Sequence, residues 1–184
     1  MEAVKIVEPV IIYESGTANG YATGWMAEGL KAIGKNEAII HTCDPRADEL
    51  YYNVDFSACQ INYYPAVSAE WLKHRQDIAE EVDFVFLDGD HSEESVCQEL
   101  TLLLDVWRAR LPVVFIHYAR PGKGPHDAIL RYINGNSHFI QEDRQIFWKI
   151  SPGSLATNMD GRCLENVLSM MAKIGKEMWA EVII

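Results

Sequence analysis

Apolar residues along this chain fall into short unbroken runs separated by segments with helical spacing. Residues 9–13 (PVIIY), 38–42 (AIIHT), 61–64 (INYY), 83–87 (DFVFL) and 112–116 (PVVFI) are such runs, as expected of strands buried on both faces. Between them the spacing changes to that of amphipathic helices. Ala22, Met26, Leu30 and Ile33 share one face, with Gly34 as a stop. Trp71, Ile78 and Val82 mark a second helix, with Ser68 as its expected N-cap. Val96, Leu100, Leu103, Leu104 and Trp107 mark a third, capped by Ser92. Residues 125–134 are predicted helical, and runs at 138–141 and 145–150 predict an antiparallel hairpin. Residues 164–182 repeat Leu164, Val167, Leu168, Met171, Ile174 and Met178 at helical spacing and predict a final amphipathic helix.

Strands alternating with helices predict a three-layer α/β domain with a mostly parallel sheet. A chain of 184 residues accommodates one such domain with a full core and would make two cramped. The expected organisation is a single domain over 1–184, with a core at 9–150 and a helical extension at 160–184. No apolar run approaches the ~20 residues needed to cross a bilayer. The N-terminal stretch has acidic residues where a secretory leader carries basic ones, so the expected location is cytoplasmic. Cys43, Cys59, Cys97 and Cys163 lack the C-x-x-C spacing of zinc or redox pairs and read as reduced thiols. A formal charge of −11 repels phosphate backbones and anionic membranes. It points to a small-molecule ligand, with no nucleic acid and no membrane partner.

In doubly wound sheets, ligands bind beyond the carboxyl ends of the strands where strand order switches. That rule selects three segments. The first is E-S-G-T-A-N-G at 14–20, where Gly16 and Gly20 permit a tight turn and close backbone approach. Neither G-x-G-x-x-G nor G-x-x-x-x-G-K is present. Instead Glu14 precedes the turn, and a carboxylate there suits a cationic group and repels pyrophosphate. The second is Asp44, which can accept from the two hydroxyls of a ribose or simply start a turn with Pro45. The third is D-G-D-H at 88–91. Asp88 and Asp90 offer hard oxygen ligands to a divalent cation, and Asp90 or His91 could take a proton from a hydroxyl. Equally, Asp90 and Ser92 could do no more than cap the next helix. His117, at the end of the fifth strand, is a candidate base or metal ligand on the same rim. His126 lies further along that rim, while His41, His74 and His138 have no supporting context.

E-S-G-T-A-N-G after the first strand, Asp44 after the second and D-G-D-H-S-E-E-S-V after the fourth together resemble class I S-adenosylmethionine-dependent methyltransferases. The likeness is to the small-molecule O-methyltransferase-like group whose fourth strand ends D-G-D-H-S, and it covers residues 9–150. It implies a Rossmann-like, mostly parallel seven-stranded sheet with a C-terminal antiparallel hairpin. It implies S-adenosylmethionine as cofactor, with Glu14, Gly16, Thr17 and Gly20 around its methionine part. Asp44 would hold its ribose, and Asp88 would sit near the sulfonium. In metal-dependent relatives positions like Asp88 bind magnesium, and positions like Asp90 or His91 act near the acceptor hydroxyl. The chain departs from the pattern at Tyr118, where such relatives carry a second metal carboxylate, and it is expected to lack the N-terminal helices that cover the substrate in many of them.

The expected function is methyl transfer from S-adenosylmethionine to a hydroxyl of a small acceptor, with Asp90, His91 or His117 as the proton acceptor and Asp88 as a candidate ligand for a divalent metal such as magnesium. The alternative is a catalytically inactive methyltransferase-like protein that binds the cofactor or a partner. A different nucleotide-using α/β enzyme is the third, disfavoured by the missing phosphate-binding motifs. A homo-oligomer that closes an open acceptor site fits the pattern as well.

Overall fold

The computed structural model describes residues 2–46, 57, 59–106, 113–117, 122–135, 146–151 and 154–158. Along the chain run α1 (Glu2–Val7), β1 (Ile11–Ser15), α2 (Tyr21–Ala32), β2 (Ile39–Cys43), β3 (Gln60–Tyr64), α3 (Ser68–His74), α4 (Gln76–Ala79), β4 (Phe84–Leu87), α5 (Glu93–Val106), β5 (Val113–His117), α6 (Gly124–Gly135), β6 (Ile146–Ser151) and β7 (Ser154–Asn158). The strands form one seven-stranded sheet in the order β3-β2-β1-β4-β5-β7-β6. β1 to β5 are mutually parallel, and β7 joins β5 and β6 antiparallel. This is the three-layer, mostly parallel sheet expected from the strand–helix alternation, in the seven-stranded Rossmann-like form that the resemblance implied.

The alternation of side chains along each strand builds the layers. Ile12, Phe84, Val113 and Phe115 point to one face and are buried with Val4 of α1 and Met26, Ala27 and Leu30 of α2. Their chain neighbours Tyr13, Val85, Val114 and Ile116 point to the other face. They pack with Trp71 and Leu72 of α3, Val96, Leu100 and Leu103 of α5 and Ala128 of α6. Tyr13 lies stacked on Trp71 with ring centroids 4.6 Å apart. No helix among the described residues is long and apolar enough to cross a membrane.

Several elements differ from the expectation, each for a local reason. β1 runs to Ser15, two residues beyond its apolar run, because Glu14 and Ser15 pair with both neighbouring strands and their polar groups find partners in the core. Ser68 is the first residue of α3, preceded by Val67 at the N-cap. Its hydroxyl bonds to the Tyr13 hydroxyl at 2.7 Å, so it ties the helix to the sheet instead of capping it. The helix expected through Val82 is split into α3 and α4 at Arg75. The hairpin is made by 146–151 and 154–158, a strand further along than expected. Pro152-Gly153 between the two is the turn-favouring pair that the apolar-run reading passed over. The run at 138–141, Trp107, Tyr118, Cys163 and the tail helix at 164–182 lie outside the described residues. An N-terminal helix that the pattern did not reveal, α1, packs on α2 through Val4.

Leu103 is fully buried between α5 and the sheet. Leu103→Ala is expected to lower unfolding free energy by about 2–5 kcal/mol, read by urea denaturation, through lost burial and the cavity left behind.

Candidate functional site

The strand order reverses between β1 and β4. β2 and β3 are added on one side of β1, and the chain then crosses back to lay β4 on the other. The carboxyl ends of β1, β2, β4 and β5 therefore lie together at the edge of the sheet where doubly wound folds form their ligand crevice, carrying residues 14–20, Asp44, 88–91 and His117.

The turns after β1 and β4 are in contact through glycine. Gly16 has φ +89°, and a Cβ on it would lie 2.2 Å from the Asp88 carbonyl oxygen and 2.8 Å from Gly89 Cα. A Cβ on Gly89 would lie 2.5 Å from Ser15 Oγ. Gly16 N and Thr17 N donate to the Cys43 carbonyl, and Asp88 N donates to the Ser15 carbonyl, so the ladder continues into the turn. Gly20 closes the turn at φ +76° as the N-cap of α2. Only residues without a Cβ permit this contact.

Beneath the turn lies a buried carboxylate. Glu14 is fully buried. Its Oε2 accepts from Thr23 Oγ1 of α2 and, at 2.6 Å, from Thr42 Oγ1 of β2. The Thr42 hydroxyl, having given its proton to Glu14, accepts from Thr17 Oγ1 at 2.6 Å. Thr17, expected at the ligand, is thus a buried brace for Glu14. Glu14 Oε1 has no hydrogen-bond partner among the described residues. Burial pushes the Glu14 carboxyl up to about 7, opposed by the Thr23 and Thr42 hydroxyls and reinforced by Asp88 and Asp44.

Asp44 is also buried. Its Oδ2 accepts from Ala18 N at 2.9 Å and its Oδ1 from Arg46 N at 2.8 Å. The carboxylate therefore clamps the Gly-rich turn, the role its turn-forming alternative allowed, with lone pairs remaining for further donors.

Asp88, His91 and His117 come together on the opposite lip. His117 Nδ1 lies 2.5 Å from Asp88 Oδ1, and His91 Nε2 lies 3.5 Å from the same oxygen. The two imidazoles meet edge to face with centroids 5.7 Å apart. All three side chains are partly exposed, so solutes can reach them. Burial holds His91 below the ordinary imidazole value, with Asp88 opposing and His117 reinforcing. Asp90 is not part of this group. It accepts from Ser92 N at 3.0 Å, and Ser92 Oγ in turn accepts from Ser95 N at the start of α5. The capping alternative describes Asp90 and Ser92. Gly124 presses on the same loop, since a Cβ there would lie 2.3 Å from the His91 carbonyl. His126 pairs with Asp127 on α6, and His41 is buried against Tyr64.

The sequence reading missed Glu99. It is buried on α5 and accepts from Ser15 Oγ at 2.6 Å, on the face of β1 opposite Glu14. Burial raises its carboxyl, opposed by Ser15 and Ser68. The signal was available: Glu99 falls between Val96, Leu100 and Leu103 on the inward stripe of α5.

The sheet is Rossmann-like and carries Glu14, Asp44 and Asp88 at the carboxyl ends of β1, β2 and β4. A family model described as a methyltransferase domain matches residues 13–117, more than half of the chain. The chain belongs to that methyltransferase-domain family. No curated protein sequence matches it. Among solved structures it is similar to the O-methyltransferase TomG from Streptomyces achromogenes, involved in tomaymycin synthesis and bound to SAM. The identity is 16% and the TM-score 0.62, over 86% of this chain and 77% of that one. It is similar to CalS11, a TDP-rhamnose 3'-O-methyltransferase of calicheamicin biosynthesis, at 14% identity and TM-score 0.54, over 87% and 76% of the two chains. It is also similar to MycE of the mycinamycin pathway, in complex with Mg, SAH and mycinamycin VI. That match has 19% identity and TM-score 0.54, over 81% of this chain and 44% of that one. The chain therefore spans less than half the length of MycE, and at these identities the likeness is one of fold.

Two predictions follow from the geometry. Gly16→Ala forces a Cβ into the Asp88 carbonyl at a φ that side chains avoid and is expected to cost ~3 kcal/mol or more; thermal unfolding reads it. For Glu14, the folded state binds its proton up to about pH 7 against an ordinary value of 4.5. The folded state thus holds more protons than the unfolded one in that window, and stability falls as pH rises through it. Glu14→Gln removes this dependence. The stability of the wild type relative to this variant should drop by on the order of 3 kcal/mol between pH 4.5 and 8, measured by urea unfolding at each pH.

Proposed function

We propose that the chain transfers the methyl group of S-adenosylmethionine to a hydroxyl of a small molecule. The observation that carries this reading is the Gly16–Asp88 contact, which joins the acidic Gly-rich turn and the Asp88–His91–His117 group into one crevice at the switch point. S-adenosylmethionine, when bound, supplies the methyl as a cationic sulfonium.

The residues present fit such a ligand. Glu14 Oε1 is a buried acceptor with a lone pair to satisfy, and an ammonium donor or a bridging water does so. The backbone of Gly16 to Gly20 lets a ligand approach closely, and Thr17 braces Glu14 from below. Asp44 keeps lone pairs for the ribose hydroxyls while it clamps the turn. Asp88 occupies the β4 side, toward the reacting centre.

Methyl transfer to the acceptor oxygen would leave the sulfur–carbon bonding pair on sulfur and release the hydroxyl proton. The hydroxyl proton goes to an imidazole of the Asp88-linked pair. His117 is the better placed of the two, since Asp88 fixes its ring through Nδ1. Much of the rate comes from holding the oxygen in line. Asp90, held by Ser92, is left out of this role. The −11 charge supports a small acceptor over an RNA or DNA one. Residues 1–184 are read as one domain in the cytoplasm, with a homo-oligomer as the means of closing the acceptor side. Magnesium fits the donor set poorly, because only one of the three clustered ligands is an oxygen.

Isothermal titration with S-adenosylmethionine and S-adenosylhomocysteine tests the reading. Saturable binding to the wild type is expected, weakened at least about tenfold (1.4 kcal/mol) in Glu14→Gln and Asp44→Ala. S-adenosylhomocysteine formation in the presence of small hydroxylated acceptors is expected to fall in His117→Asn with binding retained. Binding without turnover across such acceptors would favour the inactive methyltransferase-like protein, and no binding by folded protein would end the methyltransferase reading.

A further inference from the structure

Among the described residues, Asp88, His91 and His117 form the group able to surround a metal ion, one ligand atom from each lying within 4.8 Å of the others. The donor set is one carboxylate oxygen and two imidazole nitrogens. Magnesium is a hard ion that keeps water and carboxylates around it and gains little from imidazole. Borderline divalent ions of the zinc and cobalt class bind imidazole strongly and accept carboxylate as a third ligand.

We propose that Asp88, His91 and His117 form a three-ligand site for a borderline divalent transition metal, selective against magnesium. The geometry is close to what such an ion needs. Bonds of about 2.0–2.1 Å in tetrahedral array put ligand atoms roughly 3.3 Å apart. The His91–Asp88 pair stands at 3.5 Å, and the His117–Asp88 pair at 2.5 Å opens when an ion replaces the proton between them. The residues come from two rigid supports. Asp88 follows β4 and His117 ends β5, adjacent parallel strands in register, while Gly124 fixes the backbone at His91. Partial exposure of all three side chains supplies an entry path. Three protein ligands leave at least one coordination position for water or substrate, as in reactive sites and unlike closed structural ones.

The functional meaning of the site rests on the methyltransferase reading, whereas its metal affinity does not. A cation here lowers the proton affinity of a bound hydroxyl, which takes over the task of the imidazoles whose lone pairs it occupies.

The test uses the full chain freed of metal by chelator and titrated separately with zinc chloride, cobalt chloride and magnesium chloride. One equivalent of zinc and of cobalt should bind at least about 100-fold more tightly than magnesium. Bound cobalt should give visible absorption bands of low-symmetry, four- or five-coordinate form. His91→Ala and His117→Asn should each weaken cobalt at least about tenfold and abolish those bands, with thermal unfolding and S-adenosylhomocysteine binding unchanged. Magnesium binding as tightly as zinc overturns the proposal. So does cobalt binding that both variants leave intact, which means an adventitious ion only. So does absence of zinc and cobalt binding in protein that still binds S-adenosylhomocysteine. Metal binding lost in both variants, in a protein that never binds S-adenosylhomocysteine, upholds the site and removes the methyltransferase reading alone.

Discussion

The close approach of Gly16 to the backbone of Asp88 and Gly89 is the constraint on which the crevice depends. Parallel strands end side by side, but their outgoing turns ordinarily diverge because side chains keep them apart. Here two glycines remove those side chains on each side of the β1–β4 boundary. Asp88 N then donates to Ser15 O beyond the ends of the strands. The Gly-rich turn after β1 is thereby fixed against the loop that carries the ionisable groups. Everything proposed about chemistry follows from that proximity, since in-line transfer tolerates little displacement between the reacting centres.

That contact also explains how the acidic residues divide their labour. Asp44 and Asp90 look alike in sequence, each an aspartate after a strand and next to a turn. Asp44 is buried and holds the turn through Ala18 N and Arg46 N, while Asp90 is exposed and holds the start of α5 through Ser92. Asp88 alone lies beside imidazoles from two elements. Backbone amides take up a carboxylate wherever a turn offers them, and what remains for chemistry is the carboxylate that faces side chains instead.

The strand–helix alternation and the switch-point rule made the sheet, its layers and the three segments at the carboxyl ends of β1, β2 and β4 legible in the sequence, because burial on both faces leaves unbroken apolar runs. The first hairpin strand, expected at 145–150, was legible, but its partner Ser154–Asn158 was not, since that strand is only weakly apolar and the informative signal was Pro152-Gly153. The brace under the turn was hidden as well. Thr17, Thr23 and Thr42 are spread over three elements, and no local pattern marks their convergence on Glu14. The grouping of His91 with His117 depended on the adjacency of β4 and β5, which the alternation predicts only when the topology is assumed.

Glu14 and Glu99 sit on opposite faces of β1, one under the turn against α2 and one under Ser15 against α5. Both are buried, and burial favours their protonated forms. A fixed charge at Glu14 would be expensive with no cation nearby, and a neutral apolar residue there would give a cationic ligand nothing. A Glu14 carboxyl pushed up to about 7 avoids both costs. With no cation nearby Glu14 keeps its proton and the desolvation penalty is small. When a positive group enters the crevice, the carboxylate form is favoured and the proton leaves. The hydroxyls of Thr23 and Thr42 are oriented to stabilise that form, which a purely structural neutral acid would not require.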